Sequence, residues 1–105
     1  MAVTAHVRNE RQHEFCHMFP KQNEQVHSTV LDGESVLLNL NSGRYYTLNV
    51  VGSSVWDMCK GEHSLEEILS IVCDRFDVAA QQAQDDIGEL IMQLEQEELL
   101  HTERR

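Results

Sequence analysis

Apolar residues alternate with polar ones in the middle of the chain, and this period of two is typical of β-strands. The alternation predicts three strands, at residues 25–30, 34–40 and 44–48. Asp32-Gly33 separates the first two strands and Asn41-Ser42-Gly43 the last two, and both are turn sequences. Because short turns join neighbouring antiparallel strands, the second strand is expected at the centre of the sheet and the third at an edge.

The side chains of the second predicted strand divide between the two faces of the sheet. Val36, Leu38 and Leu40 share one face, and Leu37 and Asn39 face away from it. A small antiparallel sheet needs its apolar face covered, so another layer of structure is expected against it.

From residue 51 onward the apolar spacing changes to that of helices, and three are predicted, at about 51–59, from Ser64 onward, and at about 79–97. Ser64 and Glu67 form a capping box that starts the second helix. The element order β-β-β-α-α-α predicts an α+β fold, a three-stranded antiparallel sheet followed by three helices, and it suits a winged helix-turn-helix-like arrangement.

The ends of the chain carry little periodicity. Residues 1–24 are predicted to be a mobile N-terminal tail, 25–100 a single domain and 101–105 a C-terminal tail. Leu99 and Leu100 are expected to fold back on the core. No apolar run approaches the roughly 20 residues of a membrane span, and the first residues do not resemble a signal peptide. A cytoplasmic protein without membrane contact is therefore expected.

The chain carries 18 acidic and 8 basic side chains, a formal charge of −10. Nucleic-acid binding needs clustered Lys and Arg against phosphate, so nucleic acid is not an expected partner. A winged-helix DNA-binding regulator is the alternative that the element order leaves open. It is disfavoured because the second and third helices are acidic, with Arg75 as their one basic residue.

No arrangement of side chains points to catalysis, a metal or a cofactor. His13, Cys16 and His17 are close in sequence, but structural zinc takes four ligands and no second pair stands at a matching spacing. Cys59 and Cys73 fall on apolar helix faces and are expected to be inert small side chains. We expect a protein that is not an enzyme.

The third predicted strand is the candidate binding element. An edge strand has unpaired N–H and C=O groups that accept an added peptide strand, unless a helix or a tail shields them. Tyr46 and Leu48 share one face of this strand, and Tyr45 and Thr47 share the other. The strand by itself does not decide between an open and a shielded edge, and it leaves pairing with a second copy as a homodimer open as well.

The ordered motif Y-x-L-N-x-x-G-x-x-V-W, from Tyr46 to Trp56, resembles the PqqD family. The similarity continues through Ser64-Leu65-Glu66-Glu67-Ile68 and Phe76-Asp77-Val78 to Leu99-Leu100, and covers about residues 25–100. One position departs from the pattern, because Glu98 stands where many relatives carry Gly before the final apolar pair. The end of the third helix is therefore in question.

The resemblance implies a winged helix-turn-helix-like peptide chaperone that binds the leader of a ribosomally made precursor peptide. The leader would add as a strand beside the third strand, and the chaperone would present it to a modifying enzyme, such as a radical SAM enzyme or a leader protease and cyclase. The implied strand wall of the groove is Arg44, Tyr45, Tyr46, Thr47 and Leu48. The implied helix wall is Asp86, Glu89, Leu90 and Gln93, with Met92 beside them. From charge alone, Asp86 and Glu89 favour a leader with Lys or Arg.

Overall fold

The computed structural model describes residues 15–105. Within that range the chain forms a small β-sheet layer and a helical layer. In chain order the elements are β1 (Met18–Gln22), β2 (Val26–Leu31), β3 (Glu34–Asn39), β4 (Tyr45–Leu48), α1 (Val50–Asp57), α2 (Leu65–Phe76), α3 (Ala80–Gln96) and β5 (Leu100–Arg104).

Three of these strands form the predicted antiparallel sheet in the order β2-β3-β4. The tip between β2 and β3 is a two-residue turn in which Asp32 and Gly33 both have positive φ, 53° and 83°. Leu37 of β3 lies opposite Tyr46 of β4. The prediction of a central second strand and an edge third strand is confirmed.

The helices cover the face of β3 that holds Leu37 and Asn39, which is the opposite face from the apolar set in the sequence. Leu37 is fully buried, whereas Val36 and Leu38 are half-buried and Leu40 is 59% exposed. The period of two is correct, but the assignment of Leu37 and Asn39 to the outer face is wrong.

Two polar side chains on the buried face of β3 are tolerated because each has hydrogen-bond partners. The Ser35 hydroxyl pairs with the hydroxyl of Ser53 from α1. The Asn39 carboxamide oxygen accepts from the backbone N–H groups of Asn41 (2.9 Å) and Ser42 (3.3 Å) in the turn. A buried polar group costs little once it is hydrogen-bonded, so simple hydropathy misidentifies this face.

The starts of the first two helices are capped by side chains. Asn49 precedes α1 and accepts from the Gly52 N–H at 2.8 Å. Ser64 and Glu67 form the predicted capping box of α2, with reciprocal bonds of 2.9 and 3.2 Å. These caps fix where the chain leaves β4 and where it turns between α1 and α2.

The end of α3 is a Schellman motif. The N–H of Leu99 donates to the C=O of Leu94 at 2.9 Å, and the N–H of Glu98 donates to the C=O of Glu95 at 3.0 Å. Glu98 has φ 60°, the left-handed conformation that glycine adopts most cheaply. The helix therefore stops at Gln96 although no glycine stands at this position.

A second, two-stranded sheet joins the two ends of the described chain, and the sequence did not predict it. β1 and β5 pair antiparallel, with Gln22 opposite Leu100 and Met18 opposite Arg104. β1 lies in the region predicted as the N-terminal tail, 1–24, and all of β5 except Leu100 lies in the predicted C-terminal tail, 101–105. Residues 1–14 of the N-terminal prediction lie outside the described residues.

One core joins both layers. Its largest fully buried side chains include Trp56, Leu65, Ile68, Ile87 and Leu99, contributed by all three helices and the segment that follows α3. The prediction that the Leu99-Leu100 pair folds back on the core is confirmed. None of the helices in residues 15–105 combines the length and the apolar composition needed to cross a bilayer.

Candidate functional site

A cleft runs between the edge strand β4 and the helix α3. It consists of two adjoining cavities of about 430 and 310 Å³. Thr47 and Leu48 from the strand and Leu90 and Gln93 from the helix line both cavities, so the two form one continuous groove.

The strand side of the groove contains most of the residues predicted for it. Thr47 and Leu48 line both cavities, and Tyr46 lines the smaller one. Arg44 lies just before β4, in a shallow depression beside Tyr46 at the end of the groove. Tyr45 differs from the others, because its ring is 70% exposed and lies on the opposite face of the sheet, where it pairs with Leu38.

The alternation of hydrogen-bonded and non-hydrogen-bonded pairs between β3 and β4 identifies which backbone groups of β4 face the groove. The Asn39 N–H donates to the C=O of Arg44 at 3.0 Å, so these opposite residues form a hydrogen-bonded pair. Hydrogen-bonded pairs recur at every second position of an antiparallel ladder, so Tyr46 also bonds to β3. The N–H and C=O groups of Tyr45 and Thr47 therefore point away from β3. No other strand pairs with β4 among residues 15–105.

The helix side of the groove follows the spacing of one helix face. Asp86, Leu90 and Gln93 line it, as predicted, together with Ala83 and Ile87. These positions repeat at intervals of three and four residues, which places them on one stripe of α3.

Two residues proposed for the helix wall lie beside this stripe. Glu89 is exposed and does not line either cavity. Met92 is 54% exposed and likewise lies outside both cavities. Their role in binding remains a prediction.

The floor of the larger cavity is apolar and comes from elements that the sequence suggested only as core. Val51, Gly52 and Val55 of α1, with Val72 of α2 and Val78, line it. A Cβ at Gly52 would lie 3.3 Å from the Asn49 Oδ1 and 3.4 Å from the Leu48 Cβ, so glycine allows the helix to approach β4 closely. The position of Gly52 and Val55 in the motif after β4 was the available signal for this floor.

Glu97, which sequence reasoning missed, closes the end of the groove. The Tyr46 hydroxyl donates to the Glu97 Oε1 at 2.5 Å, and the Arg44 guanidinium lies 3.3 Å from the same oxygen. The hydrogen bond to Glu97 raises the pKa of Tyr46, with burial adding to the effect. The hydrogen bond with Tyr46, together with the charge of Glu97, raises the pKa of Arg44. Glu97 stands four residues after Gln93, a spacing from which its place beside the stripe was predictable.

The groove is polar at its ends and apolar between them. Asp86 lines the larger cavity and accepts a hydrogen bond from Gln82 at 3.1 Å, and Glu97 borders the smaller one. Arg44 is paired with Glu97, which leaves the charge of Asp86 uncompensated, so the cleft has more negative than positive charge. Such a site suits an extended peptide with apolar side chains in the middle and a basic residue near an end.

The described residues form no cluster of metal ligands. Within residues 15–105 no group of three or more His, Cys, Asp or Glu side chains is placed to hold a metal ion. Of the cluster singled out in the sequence, His13 lies outside that range. Burial raises the pKa of the Cys59 thiol to about 12, which keeps it protonated and unreactive at neutral pH.

The family model for coenzyme PQQ synthesis protein D (PqqD) matches residues 34–100. Among solved structures, the chain is similar to TbiB1 in complex with the TbiA(β) leader peptide, with 32% identity and a TM-score of 0.72 over 77% of this chain and 94% of that one. It also has the fold of a lasso peptide synthetase B1 complexed with the leader peptide, with 20% identity and a TM-score of 0.71 over 79% of this chain and 98% of the other. No curated protein matches the chain.

Proposed function

The chain belongs to the PqqD family, and we propose on that basis that it is a non-catalytic chaperone for the leader of a ribosomally made precursor peptide. The observation that carries the proposal is the edge of β4, which no other strand of the described residues covers and which faces the apolar stripe of α3. An edge with a side-chain wall opposite it is the arrangement that strand addition requires.

The leader binds as an additional strand beside β4. The N–H and C=O groups of Thr47 and Tyr45 bond to the leader backbone, because Tyr46 and Leu48 are bonded to β3. These contacts recognise any extended peptide, so the sheet edge supplies affinity and little selectivity.

Selectivity comes from the cavities under the added strand. The larger one takes an apolar leader side chain against Val55, Ile87 and Leu90. Gln93 stands between the two cavities, and the carboxylates of Asp86 and Glu97 favour Lys or Arg at the ends of the bound segment.

The similarity to TbiB1 supports this proposal, since that protein is in complex with a leader peptide and its sequence identity to this chain is 32%. In the same scheme the bound precursor is presented to a modifying enzyme, a radical SAM enzyme or a leader protease and cyclase. The chaperone itself has no catalytic part in the modification.

A DNA-binding regulator is the poorer interpretation of the same fold. The exposed surfaces of α2 and α3 carry Glu66, Asp74, Asp85 and Glu89, against Arg75, whose guanidinium donates to Ser54 at 2.7 Å. A helix surface of this charge repels phosphate.

The proposal is tested by titrating the ¹⁵N-labelled protein with the leader of a candidate precursor from the same gene neighbourhood. We expect amide shifts concentrated in β4 and along the groove-facing stripe of α3. Leu90→Arg should abolish binding, because it puts a charge in both cavities, whereas Gln81→Arg, an exposed position on the same helix and outside both cavities, should bind normally. Shifts confined to other surfaces, or equal effects of the two substitutions, would overturn the groove assignment.

A further inference from the structure

Within residues 15–105 the sheet has a second unpaired edge, which the leader site does not use. In that part of the chain β2 pairs with β3 and with no other strand. Every residue of β2 after Val26 is exposed, with Val30 at 55% and Leu31 at 64%. Natural edge strands usually carry charged residues, proline or a bulge that prevent pairing with another chain. β2 has no charged residue and no proline, and its register with β3 is unbroken.

The outward hydrogen-bonding groups of β2 belong to Ser28 and Val30. The Leu40 N–H donates to the C=O of Gln25 at 2.8 Å, so that pair is hydrogen-bonded. Alternate positions of the ladder then bond to β3, and the positions between them, Ser28 and Val30, face the open edge.

The two ends of β2 have opposite charge. Its tip carries Asp32 and, at the start of β3, the exposed Glu34. At its base, Lys21 and Lys60 are bridge partners on neighbouring segments and flank a surface cavity of about 370 Å³ that Val26 also lines.

Like charges placed opposite each other across strands are unfavourable. Neither lysine side chain has an ion-pair or hydrogen-bond partner among residues 15–105, although the chain is rich in carboxylates. Glu24 is the one acidic residue that lines the same cavity, and because two lysines flank it, the base keeps a net positive charge. The base is therefore complementary to an acidic group from outside the molecule.

We propose that β2 is a self-association edge, at which two copies pair antiparallel about a two-fold axis close to Ser28. In this arrangement Val26 of one copy lies opposite Val30 of the other, and the outward backbone groups of Ser28 bond to their symmetry mates. Because the strands run in opposite directions, the acidic tip of each copy reaches the lysine-flanked cavity of the other.

A second copy fits this edge better than an unrelated strand because the charge pattern is self-complementary. The acidic tip and the two lysines lie at opposite ends of β2. One two-fold contact therefore places the acidic tip of each copy against the lysines of the other. The leader grooves remain at the two outer edges of the six-stranded sheet, since β4 lies on the far side of β3. The inference is thus independent of the proposed function.

The test is sedimentation equilibrium of the full-length protein without any peptide. We expect a reversible monomer–dimer equilibrium at micromolar concentrations. Ser28→Pro removes an outward N–H without touching the ladder to β3, and should leave the protein folded and monomeric. Lys60→Glu and Glu34→Lys should each raise the dimer dissociation constant about ten-fold, because every substitution occurs twice in a two-fold dimer.

Mixing the two charge variants is the decisive experiment. Lys60→Glu and Glu34→Lys protein, each impaired alone, should form a heterodimer when combined, because both of its tip-to-base contacts are then attractive. Arg75→Glu, on α2, makes the same change in net charge as Lys60→Glu and should dimerise like the unmodified protein. A protein that stays monomeric at hundreds of micromolar, or a dimer unaffected by Ser28→Pro and by the charge exchange, would overturn the proposal.

Discussion

The Tyr46 hydroxyl donates a 2.5 Å hydrogen bond to the carboxylate of Glu97, which joins the edge strand β4 to the residue that follows α3. Strand and helix are the two walls of the groove, so this bond sets their separation at one end. Arg44 binds the same carboxylate oxygen and holds it in place.

This bond should be visible in the titration of Tyr46. Its pKa is raised by the hydrogen bond to Glu97, so the fold favours the protonated phenol. The stabilisation is present below the ordinary tyrosine pKa of about 10 and is lost as pH rises through the higher native value. In Tyr45→Phe protein, where Tyr46 is the remaining tyrosine, absorbance at alkaline pH should show the raised midpoint, and Glu97→Ala should lower it. An unchanged midpoint in the Glu97→Ala protein would contradict the assignment.

Because the backbone N–H groups of β4 point alternately to β3 and to the groove, proline substitutions at two neighbouring positions should have different effects. Thr47→Pro removes an N–H that faces the groove, and should weaken leader binding by up to about ten-fold while the protein stays folded. Tyr46→Pro removes an N–H bonded to β3, and should instead lower stability. Leader affinity by fluorescence anisotropy and urea denaturation separate the two effects. Normal affinity in a folded Thr47→Pro protein would show that the leader does not use this edge.

Glu98→Gly should stabilise the protein by about 1 kcal/mol, since glycine adopts the left-handed conformation at the end of α3 without the cost that a side chain imposes. The backbone bonds of the Schellman motif are unaffected by the change. Glu89→Gly, in the exposed middle of the same helix, is the matched control and should destabilise by about 1 kcal/mol. Urea midpoints with unchanged slopes measure both. A loss of stability in the Glu98→Gly protein would contradict this account.

Two helical glycines should respond differently to alanine. At Gly88 a Cβ would meet the Phe15 ring at 3.4 Å, an ordinary contact, so Gly88→Ala should gain up to about 1 kcal/mol from helix propensity. At Gly52 the Cβ would crowd the Asn49 cap and Leu48, so Gly52→Ala should cost about 1 kcal/mol and narrow the groove. Thermal unfolding and leader affinity report these effects, and equal behaviour of the two variants would refute the packing argument.

Cys59 should be protected from alkylation at pH 8. Its thiol is fully buried, its pKa is raised to about 12, and it donates to the C=O of Val55 at 3.2 Å. The half-buried Cys73 is an internal comparison and should react faster with iodoacetamide. Because the native pKa is the higher one, Cys59 also makes stability fall as pH rises above about 9, where the unfolded thiol ionises. Peptide mapping after brief labelling measures the reactivity, and equal labelling of the two thiols would disprove the prediction.

The sequence by itself determined the order of the central elements, the turn at Asp32-Gly33 and the capping box of Ser64 and Glu67. It also determined which residues share a face of each strand, and that β4 is an edge. These features depend on residues only a few positions apart, because turns, caps and helical or strand periodicity are local.

Tertiary structure decided the rest. It buried the face of β3 that carries Leu37, because the polar residues on that face are hydrogen-bonded, Ser35 to α1 and Asn39 to the turn after β3. It paired β1 with β5 from opposite ends of the described chain, and it brought Glu97 to Tyr46 across 51 positions. Contacts at such separation depend on how the layers pack, and no local pattern in the sequence encodes that packing.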